Sequence, residues 1–326
     1  MPVGYSQQLV VMVPCLNEEK TLPLVINGIP KFIKGIDKIK VLVINDGSKD
    51  HSVEVAKKLG AHVLSHKTSK GLGKTFQDGI EESLRLGADI IVNIDGDNQF
   101  NSVDIAKLVK PITEGEADFV TASRYLDYLD FNLKGRGIKN FGNKMFTWLI
   151  NKITGNNFSD VSCGFRAYSR EVAMKLRLFG HFTYTHETFL DISHKNFVIK
   201  EIAVKVEPKR KEGKSHISGN LVKYGYSAIK IIVRSVRDHE PLKFFGYLGF
   251  LVMFIGIING ALLLIWYLIS GSLTPYKTLG FVSGFLLSFG FLLIILALMA
   301  DMMGRIRNIE EEILYQIKKN YLEKKL

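Results

Sequence analysis

Ala88-Asp89-Ile90-Ile91-Val92-Asn93-Ile94-Asp95-Gly96-Asp97-Asn98-Gln99 is the stretch that decides the fold. Its first seven residues are rich in β-branched side chains and too short for a free-standing helix, so they are read as a strand. A strand that is apolar on both faces belongs inside a parallel sheet covered by helices. Ligands of such sheets lie outside the carboxyl ends of the strands. Two carboxylates and an amide therefore stand where a ligand is expected. Hard oxygen donors suit Mg²⁺ or Mn²⁺, and Mg²⁺ held by one or two carboxylates usually carries phosphates as well. A solvated turn accounts for the same pentapeptide, because Asp, Gly and Asn all favour turns.

The surrounding chain repeats the pattern. Apolar segments at Leu9–Val13, Lys40–Ile44, His62–Leu64, Asp89–Ile94 and Phe119–Ala122 read as strands. Helical patterns over Glu18–Phe32, Ser52–Leu59 and Thr75–Leu86 fall between them. Such alternation predicts an α/β fold with a Rossmann-like, mostly parallel sheet of nucleotide-binding type. After about Tyr125 the pattern becomes irregular, as expected of a substrate-binding half. Two further strand ends are polar: Pro14-Cys15-Leu16-Asn17-Glu18 after the first and Asn45-Asp46-Gly47-Ser48 after the second. Either alone is explained as a helix start, with Asn17 or Asp50 as N-cap. Three in one sheet point to a site.

The carboxyl-terminal third is of another kind. Phe244–Ile269 and Leu279–Ala300 are uncharged and apolar or small. Each exceeds the roughly 20 helical residues that cross a hydrocarbon core. Separated by Ser270-Gly271-Ser272-Leu273-Thr274-Pro275, they predict a transmembrane hairpin rather than core helices. Lys230, Arg234, Arg237 and Lys243 precede the first span, and Arg305, Arg307, Lys318 and Lys319 follow the second. The loop between holds only Lys277, so the basic-residue bias puts both termini and the catalytic part in the cytoplasm of a multi-pass membrane protein. Met1–Gln8 shows neither the basic nor the apolar region of a cleavable signal.

The net charge of +11 is concentrated. From Lys205 to Lys243 ten Lys or Arg face four Asp or Glu. A basic stretch beside a span draws anionic lipid headgroups, at about 1 kcal/mol per charge. No nucleic-acid-binding motif accompanies it, so no nucleic-acid partner is expected. Ile217, Leu221, Tyr224, Ala228, Ile231 and Ile232 recur at helical spacing among lysines, which predicts an amphipathic interfacial helix, with core packing as the other explanation. Ile306, Ile309, Ile313 and Ile317 give the tail a helical stripe, either a surface helix or the seam of a homo-oligomer. The expected division is 1–212 catalytic, 213–242 interfacial, 243–301 hairpin and 302–326 terminal helix. Cys15 and Cys163, the only cysteines, both fall in the cytoplasmic part and are read as packed thiols.

Two motifs fail on inspection. Gly71-Leu72-Gly73-Lys74-Thr75 lacks the P-loop glycine at position 68, which is Thr68. An EF-hand starting at Asp95 requires an acidic twelfth residue, and Ala106 stands there.

Pro14-x-x-Asn17-Glu18, Asp46-Gly47-Ser48 and Asp95-x-Asp97, followed by Ser123-Arg124-Tyr125, Ser162-Cys163-Gly164-Phe165-Arg166 and Arg210-x-x-Gly213-x-Ser215, resemble the family 2 glycosyltransferases of the GT-A fold. With the membrane spans, the chain is similar to their polyprenyl-phosphate branch, typified by dolichol-phosphate mannose synthases. It departs in having Asn45 where the family more often has Asp. The resemblance implies that Pro14, Glu18, Asn45 and Asp46 line a nucleoside pocket. Asp95, Gly96, Asp97 and Gln99 would form the turn that holds a Mg²⁺ or Mn²⁺ ion on the donor diphosphate. It also implies that Arg124, Arg136 and Arg210, with Lys214 assisting, face the phosphate of a lipid acceptor or the leaving diphosphate; an arginine fork matches phosphate oxygens. The implied reaction is inverting transfer from a nucleotide sugar to polyprenyl or dolichyl phosphate, with Asp97, Arg124 and Arg210 carrying catalysis. A lipid phosphate is already anionic, so the step needs little base help; His186 and Glu187 are the candidates if a base acts. GDP-mannose, UDP-glucose and UDP-N-acetylhexosamine all remain open as donors. A polysaccharide synthase of the same fold is disfavoured, since neither Trp148 nor Trp266 follows an arginine as a Gln-x-x-Arg-Trp motif requires. A non-catalytic nucleotide-sugar-binding scaffold is the third reading.

Overall fold

The parallel sheet follows from the apolar segments. In the computed structural model, which describes residues 7–126, 137–178, 184–206, 229–230, 233–234, 236–238 and 240–324, β1 is Gln8–Cys15 and β2 is Lys38–Asn45. They pair in parallel, Leu9 opposite Ile39 through Cys15 opposite Asn45. β3 (His62–Ser65) extends the sheet beyond β2, and β4 (Ile90–Asn93) pairs in parallel with the other edge of β1. β5 (Phe119–Ser123), β6 (Arg166–Ser169) and β7 (Ile199–Ala203) complete seven strands in the order β3-β2-β1-β4-β6-β5-β7. Pairing is parallel throughout except at β6, which runs antiparallel to both β4 and β5. The strand order changes direction at β1, so the ends of β1, β2 and β4 border the crevice where such sheets bind ligands.

Period-two alternation divides the core. Leu9, Val11, Val13, Val43, Ile90 and Val92 face one way. They pack on α1 (Leu22–Asn27), α2 (Ser52–Lys58) and α4 (Ile105–Thr113). Val10, Met12, Leu42, Ile44 and Ile91 face the other. Against them lie α3 (Leu72–Arg85), α5 (Gly137–Thr154), α6 (Arg170–Lys175) and α7 (Thr185–His194). The first helix is shorter than the sequence pattern suggests. Pro23 sits in its first turn, where a missing N–H costs nothing, and Gly28 follows its last residue. β6 had no apolar signature because its first residue is a buried arginine.

The chain divides into two compact units, Met1–Ile232 with Tyr315–Leu326 and Val233–Leu314. Within the first, Leu322 is buried in the second core cluster and Lys175 Nζ lies 4.7 Å from the centre of the Tyr315 ring. The second holds α8 (Pro241–Ser270) and most of α9 (Lys277–Glu323), both long and apolar enough to cross a membrane. Small residues let them approach: a Cβ at Gly249 would stand 2.9 Å from the Gly290 carbonyl oxygen, and Ser283 Oγ donates to the Gly256 carbonyl at 2.7 Å. α9 does not stop where its apolar stretch ends. Ion pairs Arg305–Asp301 and Arg307–Glu311, four residues apart, carry it into the charged tail.

Gly79 marks the tightest crossing of α3 over the sheet, where an added Cβ collides with Met12 Sδ and lies 3.0 Å from Ile44 Cδ1. Gly79→Val is expected to destabilise the first unit by about 1–3 kcal/mol through overpacking. Differential scanning fluorimetry checks this as a lowered melting midpoint.

Candidate functional site

The ends of β1 and β2 are laced together. Asn17 adopts φ of +57°, a left-handed conformation that asparagine tolerates. Its amide N–H donates to Ser48 Oγ at 2.9 Å, and its side-chain oxygen accepts from the Lys49 N–H at 2.8 Å. The Glu18 N–H donates to Ser52 Oγ, and the Glu18 carboxylate accepts from Thr21 Oγ1 at 2.7 Å. Asn45 Oδ1 accepts from the Ser48 N–H, so the residue that departs from the family pattern closes the Asn45–Ser48 turn.

Asp46 is buried and anchors the loop after β3. His66 Nδ1 lies 2.8 Å from its carboxylate, and Ser69 Oγ, the Lys70 N–H and the Gly71 N–H donate at 2.7, 2.8 and 3.0 Å. Burial acts to raise its pKa, but these donors outweigh it and hold the carboxyl below the usual range. The other His66 ring nitrogen lies 3.0 Å from Asp78 Oδ2, and Asp78 also pairs with Lys74. Gly47 has φ of +79°, and a Cβ there would meet the Ser69 nitrogen at 2.9 Å. Glycine is required twice over, by conformation and by space.

β4 ends in the Asp95-Gly96-Asp97 turn. Asp97 is buried, its Oδ1 accepts from the Gln99 N–H at 3.1 Å, and Asn98 takes φ of +56°. Gly96 brings this turn against the end of β1: its Cβ would lie 3.0 Å from the Pro14 carbonyl and 3.8 Å from Glu18 Cγ. A Cβ at Gly164 would lie 3.3 and 3.5 Å from the two Asp95 carboxylate oxygens and 3.0 Å from Tyr184 Oη. Glycine at 164 thus lets the Asp95 carboxylate and Tyr184 Oη come closer to this backbone than a side chain would allow. Beneath it, Asn93 Nδ2 donates to the Gly164 carbonyl and to Tyr184 Oη, both at 2.8 Å. Among the described residues, no three His, Cys, Asp or Glu side chains form a metal cluster.

Arg124 follows β5. Its Nε donates to Asp160 Oδ2 at 2.6 Å and its Nη2 to Asp160 Oδ1 at 2.9 Å and to Ser162 Oγ. Burial acts to raise the Asp160 carboxyl, and the Arg124 guanidinium with the Arg124 and Ser162 N–H groups reverses this, leaving it below the ordinary range. Arg124 keeps only part of its fork for a ligand. His186 is fully buried beside the Phe146 ring, and burial with the nearby Arg166 charge lowers its pKa to about 4. It is neutral at physiological pH and sealed from solvent; Glu187 is half-buried. The Cys15 and Cys163 thiols are buried and pushed up to about 11 and 12, so both stay protonated.

The structure therefore brings Pro14, Glu18 and Gly96 together, sets Asn45 and Asp46 at the neighbouring strand end, and places Asp95 against Gly164. Arg136, Arg210 and Lys214, and nearly all of the expected interfacial helix, lie outside the described residues. Sequence reasoning missed His66, Asp160, Tyr184 and Asn93. Asp160 and Tyr184 carried no motif, and His66 lies between the strand at His62–Leu64 and the Gly71–Thr75 motif, in neither.

A mostly parallel sheet whose β1, β2 and β4 ends converge on an Asp-x-Asp turn defines the GT-A class of glycosyltransferase. Its likeness extends to glucosyl-3-phosphoglycerate synthase from Mycobacterium tuberculosis, solved with Mn²⁺, uridine diphosphate and glucosyl-3-phosphoglycerate. The TM-score is 0.53 at 20% identity, covering 72% of this chain and 80% of that one. The model of glycosyl transferase family 2 matches residues 10–177, and the chain belongs to that family and is a glycosyltransferase. Among its relatives is a UDP-N-acetylglucosamine–dolichyl-phosphate N-acetylglucosaminyltransferase of Methanococcus voltae, 27% identical over 179 residues, which are 49% of this chain and 68% of the relative. Another is an undecaprenyl-phosphate 4-deoxy-4-formamido-L-arabinose transferase of Photorhabdus laumondii, 24% identical over 310 residues, or 91% of this chain and 89% of the relative.

The Arg124–Asp160 pair yields a pH test. A depressed carboxyl contributes stability that is full above about pH 4 and fades as pH falls through its lower folded-state value. Arg124→Met leaves Asp160 buried without its cation, so its pKa rises instead. The variant is expected to lose about 3–5 kcal/mol at neutral pH. Because protonation relieves the stranded charge, the gap to wild type should narrow on acidification toward pH 4; urea unfolding at a series of pH values measures it.

Proposed function

We propose that the chain transfers a sugar from a nucleoside diphosphate donor to a polyprenyl phosphate at the cytoplasmic face of a membrane, with inversion at the anomeric carbon. The observation that carries this reading is the Asp95-Gly96-Asp97 turn at the end of β4, with Asp97 buried and Gly96 held against Pro14 and Glu18, in a chain with two helices apolar enough to span a bilayer. Two relatives named for different sugars share a polyprenyl phosphate acceptor, which supports the acceptor more strongly than any one donor.

A divalent cation fits the donor set. Asp95, Asp97 and Gln99 offer hard oxygens, and among the described residues no group of three His, Cys, Asp or Glu side chains forms a complete metal cage. That composition suits Mg²⁺ or Mn²⁺ shared with a diphosphate. When bound, the ion would neutralise charge on the departing nucleotide. The remaining work falls to the chain itself. Pro14, Glu18, Asn45 and Asp46 border the nucleoside, the last two held rigid by the bonds described above. Arg124 and, from the sequence, Arg136, Arg210 and Lys214 offer donors to phosphate oxygens, so the attacking lipid phosphate is oriented and like-charge repulsion is offset. No general base is needed because the acceptor oxygen is already ionised. The neutral, enclosed His186 agrees with that. A single displacement of this kind inverts the anomeric centre.

Basic residues around the spans support a cytoplasmic location for both termini, and the 205–243 stretch supports attraction to anionic lipid. The test uses purified full-length protein in nanodiscs with polyprenyl phosphate, Mn²⁺ or Mg²⁺, and labelled GDP-mannose, UDP-glucose and UDP-N-acetylhexosamines. One donor is expected to give a lipid-linked sugar, abolished by chelation and reduced by roughly 10²–10³-fold in Asp97→Ala. Donor binding without turnover on any polyprenyl phosphate would overturn the proposal.

A further inference from the structure

α5 has two faces of different character. Phe146 and Ile150, one turn apart, are buried in the core cluster with Phe158 and Phe189. On the outward side Lys144, Met145, Trp148 and Lys152 follow at spacings of three and four, and all are exposed. Trp148 retains 58% of its surface, and Lys152 Nζ stands 5.2 Å from the centre of its ring. No Asp or Glu occurs anywhere in Gly137–Thr154 or in the Gly155-Asn156-Asn157-Phe158 that follows. Neither Lys144 nor Lys152 joins a carboxylate among the described residues.

A single exposed tryptophan needs no explanation. An acid-free stripe of tryptophan and methionine flanked by two lysines does. In water the indole ring gains only the Lys152 contact, and neither lysine has a carboxylate partner among the described residues. At a lipid surface every member finds a partner. Tryptophan is favoured at the membrane–water boundary, the lysine stems cover apolar surface, and their heads reach headgroup phosphates.

We infer that the outward stripe of α5 docks on an anionic lipid bilayer, with Trp148 in the interfacial layer and Lys144 and Lys152 on headgroup phosphates. This rests on the proposed membrane anchoring of α8 and α9. It adds to that reading a contact made by the glycosyltransferase domain itself, distinct from the basic stretch before the spans.

The chain has two tryptophans, Trp148 and Trp266, which makes the test direct. The full chain is reconstituted in vesicles of phosphatidylcholine with phosphatidylglycerol and of phosphatidylcholine alone, each with lipids brominated at shallow acyl positions. Fluorescence of Trp148→Phe reports Trp266, which lies in α8, and the difference from wild type reports Trp148. In the anionic vesicles Trp148 emission is expected to fall at least twofold on bromination and to be shielded from aqueous iodide. In Lys144→Glu/Lys152→Glu, or without phosphatidylglycerol, the bromine effect should diminish. Trp148 open to iodide and untouched by bromine overturns the docking, while Trp266 is still quenched by lipid. Shielding from both quenchers also overturns it, in favour of a protein partner such as a second copy. Loss of lipid quenching at Trp266 instead refutes the anchoring itself, and the docking with it.

Discussion

The floor of the site depends on one buried guanidinium. Arg166 is completely enclosed, yet its hydrogen bonds go to backbone carbonyls: Nε to Cys163, Nη1 to Thr185 and Nη2 to Val161. The rings of Phe119, Tyr184 and Phe189 surround it, the last with its centre 4.8 Å from Cζ. A buried charge is tolerated only when its donors are satisfied and its field meets polarizable partners. Here those partners belong to three separate pieces of chain: the Val161–Cys163 turn, the start of α7 and the strands at the sheet centre. Arg166 fixes them relative to one another. Gly164 is thereby held beside Asp95, and Tyr184 is held where Asn93 reaches it.

That dependence explains what the sequence could and could not disclose. Leu9–Val13, Lys40–Ile44 and Asp89–Ile94 announce themselves because a parallel strand buried on both faces must be apolar. Their polar ends are legible for the complementary reason, since charged side chains directly after such strands have no structural use in the core. β6 obeys neither rule. Arg166 occupies a core position through hydrogen bonds contributed by distant residues, and no local pattern encodes a partner that arrives only on folding. Tyr184 and Asp160 are invisible for the same reason: each acquires its meaning from a residue tens of positions away. The α1 pattern erred differently, since apolar periodicity marked the buried face but Pro23 and Gly28 set the ends.

His66 shows how a loop without a sequence motif becomes tied to the strand ends. Both ring nitrogens lie within hydrogen-bond distance of carboxylates, Asp46 on one side and Asp78 on the other. The ring thus ties the loop after β3 to the end of β2 on one side and to α3 on the other. The Asp46 carboxylate then carries four donors from a six-residue loop, and the Gly47 contact with Ser69 leaves that loop no slack. A nucleoside bordering Asn45 and Asp46 would meet a wall already ordered before it arrives, and the entropy of ordering that wall is not charged against binding.

The Asp95–Asp97 turn stands in contrast to this finished wall. Its carboxylates flank Gly96, and among the described residues no group of three His, Cys, Asp or Glu side chains forms there. A divalent ion there has too few protein oxygens to hold it tightly alone, and a nucleotide diphosphate alone meets two negative carboxylates. Each would supply what the other lacks: phosphate oxygens for the ion, and positive charge to offset the repulsion between phosphate and aspartate. On the proposed function, metal and donor therefore bind with mutual reinforcement. By linkage each raises the other's affinity by the same factor. Asp95 and Asp97 would then hold the ion firmly only while the nucleotide is bound, so loss of the two would be coupled. On the proposed function the preordered loop and the Asp95–Asp97 turn are two halves of one constraint: the first would border the nucleoside, and the second would favour a donor that brings its own phosphate oxygens.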